Sequence, residues 1–154
     1  MASRLQSGDM SDFPLTIVIA VSVQLACQLF KFVLYSVRDR KLSFHYLVTA
    51  GGIPSAHSAF VTALSVSIGI RHGFASDLFA VACVFSAIVI YDAFRLRGHV
   101  QQHAKLINRY LLAGTDAEPV SEMVGHSPGE IAAGVILGGG VAAIVALLAG
   151  PAVP

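Results

Sequence analysis

The 154-residue sequence has little charge, because only 12% of its residues are charged and 55% are hydrophobic. That composition is too apolar for an ordinary soluble domain. Cysteine is also scarce, and the spacing of its two residues supports neither a disulfide nor a metal site. The net charge is +1 and no pattern of interleaved basic and aromatic residues occurs, so no nucleic-acid partner is expected. Length and composition together therefore indicate a single domain embedded in a membrane.

What the sequence does contain is four apolar blocks, at residues 13–37, 56–70, 78–94 and 131–153. A helix needs about 20 such residues to cross a bilayer, and the short second block is extended by the glycine turn before it. None of the blocks alternates with a period of two, which argues against strands. The sequence therefore predicts an all-α integral membrane protein with about four transmembrane helices.

The remaining segments are short. Residues 1–12 are predicted to form a polar N-terminal tail, and residues 13–154 a single transmembrane helical domain. The first apolar block is not expected to be a cleavable signal, since Asp9 and Asp12 precede it and no small-residue cleavage site follows. Residues 99–112 have an apolar stripe opposite a polar face, which predicts an amphipathic helix lying along the membrane interface.

Residues 51–58 read Gly-Gly-Ile-Pro-Ser-Ala-His-Ser, a turn that ends where a helix begins. The unpaired backbone N–H groups at a helix N-terminus suit an anion. A histidine among them, His57, is placed to pass a proton to an oxygen leaving phosphorus. A plain glycine turn before a capped helix is the alternative interpretation.

An up-down-up-down path through the bilayer gathers most of the ionisable residues on one face of the membrane. The candidates are Lys31, Arg38, Gly52, Ser55, His57, Ser58, Asp92, Arg95, Arg97, His126 and Glu130. Ionisable residues near membrane depth are costly and usually functional. Lys31, Arg38 and Arg97 supply positive charge for phosphate oxygens, although Lys31 alternatively extends to the interface by snorkelling. Serine hydroxyls and backbone N–H groups such as that of Gly52 complete an oxyanion cradle.

Two histidines fit the two roles of a two-step phosphoryl transfer, nucleophile and general acid. His126 and Glu130 stand four residues apart, so the carboxylate can hold one imidazole nitrogen and leave the other bare. His103 is a second candidate nucleophile, but Ile107 occupies the position of that carboxylate, so His126 is preferred. No residues have metal-ligand spacing, and we expect neither a metal nor another cofactor.

The motifs resemble those of the type 2 phosphatidic acid phosphatases (PAP2), a superfamily that includes bacterial acid phosphatases and vanadium haloperoxidases. The resemblance rests on Lys31-x6-Arg38, Pro54-Ser55-Ala56-His57 and His126-Ser127-Pro128-Gly129-Glu130. It is closer still to a small divergent branch of membrane proteins, through the full octet 51–58 and Tyr91-Asp92-Ala93, and it covers roughly residues 25 to 140.

The resemblance implies a PAP2-like helical bundle and a role for each matched residue. Lys31 and Arg38 would be the phosphate-binding pair of the first motif, with Ser55 beside the phosphate. His57 would be the general acid and His126 the nucleophile that forms a phosphohistidine. Glu130 would take the place of the usual orienting aspartate.

Departures from the superfamily pattern concern the phosphate site. Asp39 follows Arg38 where proline is usual, and Val120 stands where the third motif normally has an arginine, six residues before the histidine. Arg97, or else Arg95, would have to serve instead. Asp92 either supports the site or is a helix-end charge paired with Arg95.

These observations favour a metal-independent phosphatase acting on a lipid phosphate or polyprenyl diphosphate, because a site at headgroup level meets lipid headgroups first. The alternatives are a catalytically inactive anion-binding or scaffolding membrane protein, and a lipid phosphotransferase. Expected partners are that substrate, membrane lipids and, as an open alternative, a second copy of the chain. We expect a bacterial-type plasma membrane, with the site on the cytoplasmic face where Lys and Arg are more numerous.

Overall fold

The computed structural model describes residues 15–48 and 51–149. Its α-helices are α1 (Leu15–Arg38), α2 (His45–Val48), α3 (Ala56–His72), α4 (Asp77–Tyr91), α5 (Arg97–Leu106) and α6 (Pro128–Ala149). No strand occurs within the described ranges, so the predicted all-α class is confirmed. The predicted polar tail, residues 1–12, and the end of the fourth apolar block lie outside the described residues.

Among the described residues, three helical stretches are long and apolar enough to cross a membrane: Leu15–Arg38, Asp77–Leu111 and Pro128–Ala149. The predicted second span is α3, whose 17 residues fall short of the roughly 20 that a bilayer requires. This helix packs against α1, α4 and α6, and much of it is buried between them. Where about four spans were predicted, the described part of the chain has three helices long and apolar enough to span, packed with a shorter central one.

Contact between α3 and α6 depends on glycine. A Cβ atom at Gly134 would collide with the carbonyl oxygen of Ser55, and one at Gly138 would collide with the backbone of Ala59. The two helices therefore meet backbone to backbone, as small residues allow in membrane bundles. Gly140 has open space around its Cβ position, so it does not take part in this contact.

Contact between α3 and α4 depends on serine. The hydroxyl oxygens of Ser65 in α3 and Ser86 in α4 lie 2.7 Å apart. Each hydroxyl also lies 3.1 Å from a backbone carbonyl of the facing helix, Ala82 for Ser65 and Val61 for Ser86. Polar side chains in an apolar bundle are stable when they are paired in this way, so these serines hold the two helices together.

Helices α4 and α5 form one continuous stretch, joined by the π-helical turn Asp92–Leu96 and followed by a second π-helical turn, Ile107–Leu111. The predicted amphipathic segment is therefore helical, but it continues the predicted third span. Of its apolar stripe, Ala104 is buried while Val100 and Leu111 are exposed. A π turn takes more residues per turn than an α-helix, which shifts the faces that a regular 3.6-residue period predicts.

Candidate functional site

Two histidine rings meet inside the bundle. His57 lies in the first turn of α3 and His126 lies just before α6, and their ring centroids are 6.1 Å apart with ring planes at 66°. The side chain of His126 has no exposed surface, and His57 is partly buried. The fold thus brings together the two residues for which the sequence predicts paired roles.

Glu130 holds His126 in place. Its Oε2 atom lies 3.1 Å from Nδ1 of His126 and also accepts a hydrogen bond of 3.1 Å from the backbone N–H of Ser127. In return, the backbone N–H of Glu130 donates to Oγ of Ser127 over 3.3 Å, which completes a capping box at the start of α6. A carboxylate acceptor requires the proton on Nδ1, so the lone pair lies on Nε2. Within the described chain Nε2 is buried and has no hydrogen-bond partner.

The surroundings of His126 favour its neutral form. Burial lowers the pKa of His126 below its ordinary value of 6.5, and the positive charges of Lys31 and Arg97 act in the same direction. The hydrogen bond and the charge of Glu130 oppose this lowering of the pKa without reversing it. A neutral imidazole with a bare nitrogen is the form in which histidine is a nucleophile.

The backbone around His126 is fixed by the π turn and by α5. The N–H of His126 donates to the carbonyl of Ala93, in the π turn, over 3.3 Å. The N–H of Gly125 donates to Oε1 of Gln101 over 3.1 Å, and a Cβ at Gly125 would lie only 2.9 Å from the carbonyl oxygen of Arg97. Glycine at 125 therefore permits the close approach that aligns the loop.

Lys31 is buried at the site. Its side chain has 0% exposure and donates to the carbonyl of Gly51 over 3.3 Å, so the snorkelling interpretation is wrong. The positive charges of Lys31 and Arg97 disfavour the protonated form of both histidine rings.

Arg97, not Arg95, faces the site. Its Nε donates to Oδ2 of Asp92 over 2.8 Å, and these two residues line a cavity of about 470 Å³ together with His57. Arg95 is exposed and does not line that cavity, so the alternative pairing of Asp92 with Arg95 is wrong. The terminal nitrogens of Arg97 make no hydrogen bond within the described part of the chain, which leaves them available for an anion.

The structure does not bring Arg38 to the histidine pair. Its side chain is 73% exposed, and its Nε atom lies 3.7 Å from Oδ1 of Asp39. Arg38 instead lines a separate polar cavity of about 330 Å³, together with Glu130. Arg38 ends α1 and the chain turns immediately after it, so its side chain lies at the rim, whereas Lys31 lies two turns deeper.

The two predicted phosphate-binding serines are engaged in the turn itself. Ser55 and Ser58 are fully buried with hydroxyl oxygens 3.0 Å apart, and Oγ of Ser55 caps α3 by accepting from the backbone N–H of Ser58 over 3.3 Å. Gly52 has φ +89°, and a Cβ there would collide with the hydroxyl of Tyr35. These three residues shape the turn that positions His57.

Sequence reasoning missed several residues around the site. Gln24 lines the cavity that contains His57, Tyr35 packs under Gly52, and Gln101 holds Gly125. For the first of these a signal was present: Gln24, Gln28, Lys31 and Tyr35 recur at helical spacing inside an apolar span, where polar residues are usually functional. Gln101 lies in a polar segment and gave no such signal.

Within residues 15–48 and 51–149, no group of three or more His, Cys, Asp or Glu side chains converges as a metal-binding site requires. The candidate site is instead built from two imidazoles, one carboxylate that orients His126, and the Arg97–Asp92 pair. Lys31 adds positive charge from within α1.

Fold and site together define a helical membrane protein with a paired-histidine centre. The chain belongs to the Divergent PAP2 family, whose model matches residues 14–141. It is also 32% identical over 145 residues to the uncharacterized membrane protein YuiD of Bacillus subtilis (strain 168). This match covers 84% of this chain and 90% of YuiD. No solved structure matches. The resemblance inferred from the motifs is therefore confirmed, and the chain is a PAP2-related membrane protein.

Proposed function

We propose that this chain is a metal-independent phosphatase that hydrolyses a phosphate or diphosphate ester on a lipid through a phosphohistidine intermediate at His126. The observation that carries the proposal is the buried, unpartnered Nε2 of His126, in a ring that Glu130 holds through Nδ1 and whose centroid lies 6.1 Å from that of His57. A structural histidine is expected to satisfy both ring nitrogens when it is buried. An unpaired nitrogen in a ring beside a second imidazole instead suits an attacking atom.

In the first step the Nε2 lone pair attacks phosphorus while the bond from phosphorus to the lipid oxygen breaks. Protonated His57 gives its proton to that leaving oxygen, which departs as the alcohol or, from a diphosphate, as the monophosphate. The negative charge of the bound phosphate favours the protonated form of His57. Lys31 and the terminal nitrogens of Arg97 offset the charge on the phosphoryl oxygens.

In the second step water attacks the phosphohistidine. Neutral His57 takes the proton from the water, the bond between phosphorus and nitrogen breaks, and its electron pair returns to Nε2 as inorganic phosphate is released. Throughout both steps the Nδ1–H group of His126 donates a hydrogen bond to Glu130, which fixes the tautomer of the ring.

The substrate class and the orientation are part of the proposal. A site among membrane helices meets lipid headgroups before soluble phosphates, which supports a lipid phosphate or polyprenyl diphosphate. The excess of Lys and Arg on the loops beside the site supports a cytoplasmic orientation in a plasma membrane.

The test is phosphate release from a panel of lipid phosphates by detergent-purified protein without added metal, combined with trapping of a labelled enzyme under alkaline conditions, because phosphohistidine is acid-labile. His126→Ala is expected to abolish both the trapped label and turnover. The matched control is His103→Ala, at an exposed position of α5, which should retain the label and most of the turnover. Label that survives in His126→Ala would show that the nucleophile is another residue. Transfer of the phosphoryl group to an added alcohol in place of water would identify a phosphotransferase.

A further inference from the structure

The cavity that contains His57 is polar at one end and apolar at the other. It lies between α1, α3 and α4 and has a volume of about 470 Å³. His57, Asp92 and Arg97 form the polar end, while Phe60, Phe85 and Ile88 are among the residues of the apolar wall. A phosphate ester of a hydrocarbon chain has the same division of polarity.

The apolar end of this cavity is closed along the helix axes and open to the side. Val61 lines the cavity, and its carbonyl accepts a hydrogen bond from Ser86, which is paired with Ser65 across the helix interface. Beyond that point α3 and α4 are joined. Phe85 and Ile88, on the α4 wall, are 49% and 62% exposed, so the described chain does not cover this side of the cavity.

A second groove of similar size, about 480 Å³, lies between α1 and α6 and is lined by apolar residues that include Phe30, Leu34 and Leu137. None of the residues lining this groove carries a charge. A hydrocarbon chain would fit there, but the phosphate attached to it would have no cation or imidazole to contact. Charge complementarity therefore favours the cavity between α3 and α4.

We propose that the lipid substrate reaches the site sideways from the bilayer through the gap between α3 and α4. Its phosphate lies against His57 and Arg97, the first part of its chain lies against Phe60 and Val89, and the rest of the chain passes Phe85 and Ile88 into the membrane. This inference rests on the proposed function for the phosphate ester, and it adds the route and the extent of recognition. Because the chain leaves the protein after a short distance, turnover should be insensitive to chain length once the cavity is filled.

The route is tested by photo-crosslinking of the full-length protein in detergent with a long-chain alkyl phosphate that carries a diazirine near the phosphate. Adducts mapped by mass spectrometry are expected on the α3 and α4 wall, at Phe60, Phe85 or Ile88. Ile88→Trp fills the opening and should reduce labelling by roughly tenfold, the scale on which a misfitting apolar pocket discriminates. Val84→Trp, at an exposed position of α4 that does not line the cavity, should leave labelling unchanged. Adducts on Leu34 or Leu137 in the wild-type protein would overturn the proposal.

Labelling does not require turnover, so the route and the phosphatase activity can fail separately. The His126→Ala variant should be labelled at the same positions as the wild type. Kinetics then add a second readout: Ile88→Trp should raise KM for a long-chain phosphate while leaving kcat/KM for a short aryl phosphate within about twofold. Equal losses on both substrates would contradict lateral access. Correct labelling without hydrolysis of any phosphate would support the route and refute the phosphatase.

Discussion

The two faces of α3 are built in different ways. Toward α6, glycine lets the backbones touch, with Gly138 against Ala59. Toward α4, the helices are joined by a pair of serine hydroxyls and border a cavity beyond it. One face of the same helix is therefore closely packed, and the other leaves a space.

The difference matches the division of roles at the site. The close face aligns α6, whose first turn carries Glu130 and fixes His126, and an attacking atom is effective only when its position is well defined. The cavity beside the open face is lined by Asp92 of the π turn and Arg97 of α5, and under the proposed function it admits the ligand. We infer that positional accuracy is supplied by the α6 side and substrate access by the α4 side.

The largest effect on the open face is expected from His57→Ala. Turnover of a lipid phosphate should fall roughly 10²–10⁴-fold, because a positioned general acid contributes about that much. Binding of vanadate should remain close to normal, since Lys31 and Arg97 are unchanged. The loss should be smaller for an aryl phosphate, whose better leaving group needs less protonation. An equal loss on both substrates would argue against proton donation.

Arg97→Gln should have the next largest effect. Loss of one charge-assisted interaction with an anion costs about 1.5–3 kcal/mol, so the affinity for vanadate, measured by inhibition or calorimetry, should fall roughly 10- to 100-fold. The matched control is Arg95→Gln, two residues away and exposed, for which affinity should stay within about twofold. Equal weakening in both variants would indicate a general charge effect instead of a contact at the site.

On the close face, Gly138→Ala is expected to lower the free energy of unfolding by about 1–3 kcal/mol, the usual cost of adding atoms to a packed contact. Gly140→Ala adds the same methyl group where no atom lies within 4 Å. It should be neutral or stabilising, because alanine favours helix by about 1 kcal/mol over glycine. Thermal unfolding in one detergent measures both variants, and similar melting temperatures would mean that α6 does not pack closely against α3 at Gly138.

The smallest effect concerns the titration of His126. Burial lowers the pKa of His126 and Glu130 partly opposes this, so Glu130→Gln should lower the pKa of His126 further. Glutamine can still complete the capping box, so the start of α6 should persist. The neutral ring would then predominate to a lower pH than in the wild type. Histidine-labelled NMR in detergent measures the midpoint, and a rise in Glu130→Gln would contradict the assigned electrostatics.

Much of the fold could be predicted from the sequence, because apolar length and the lack of a two-residue period report directly on membrane helices. The central helix α3 was the exception. Its 17 residues are too few for a span, and what keeps it in the bundle is burial between three neighbours, a tertiary effect that its composition does not distinguish from lipid contact. The π turn between α4 and α5 could not be predicted from the sequence either, because its residues are compatible with an ordinary helix end.

For the candidate site, local spacing was informative and side-chain direction was not. The four-residue interval from His126 to Glu130 predicted that the carboxylate would hold one imidazole nitrogen, and in the structure that nitrogen is Nδ1. Arg95 and Arg97 could not be separated, because residues two apart on a helix lie on nearly opposite sides and the sequence does not say which side faces inward. Arg38 is the last residue of α1, where the following turn decides the direction of its side chain.

The capping box at α6 changes what the retention of each site residue means. Glu130 supports the helix start as well as the imidazole, so under the proposed function a descendant of this protein that had lost catalysis would still be selected to keep it. His57 and His126 each leave a buried ring nitrogen without a partner in the described chain, at a cost of about 1–3 kcal/mol per group. Among pseudoenzymes of this lineage the histidines should therefore decay first and the glutamate last, which makes the pair of histidines the better marker of an active member.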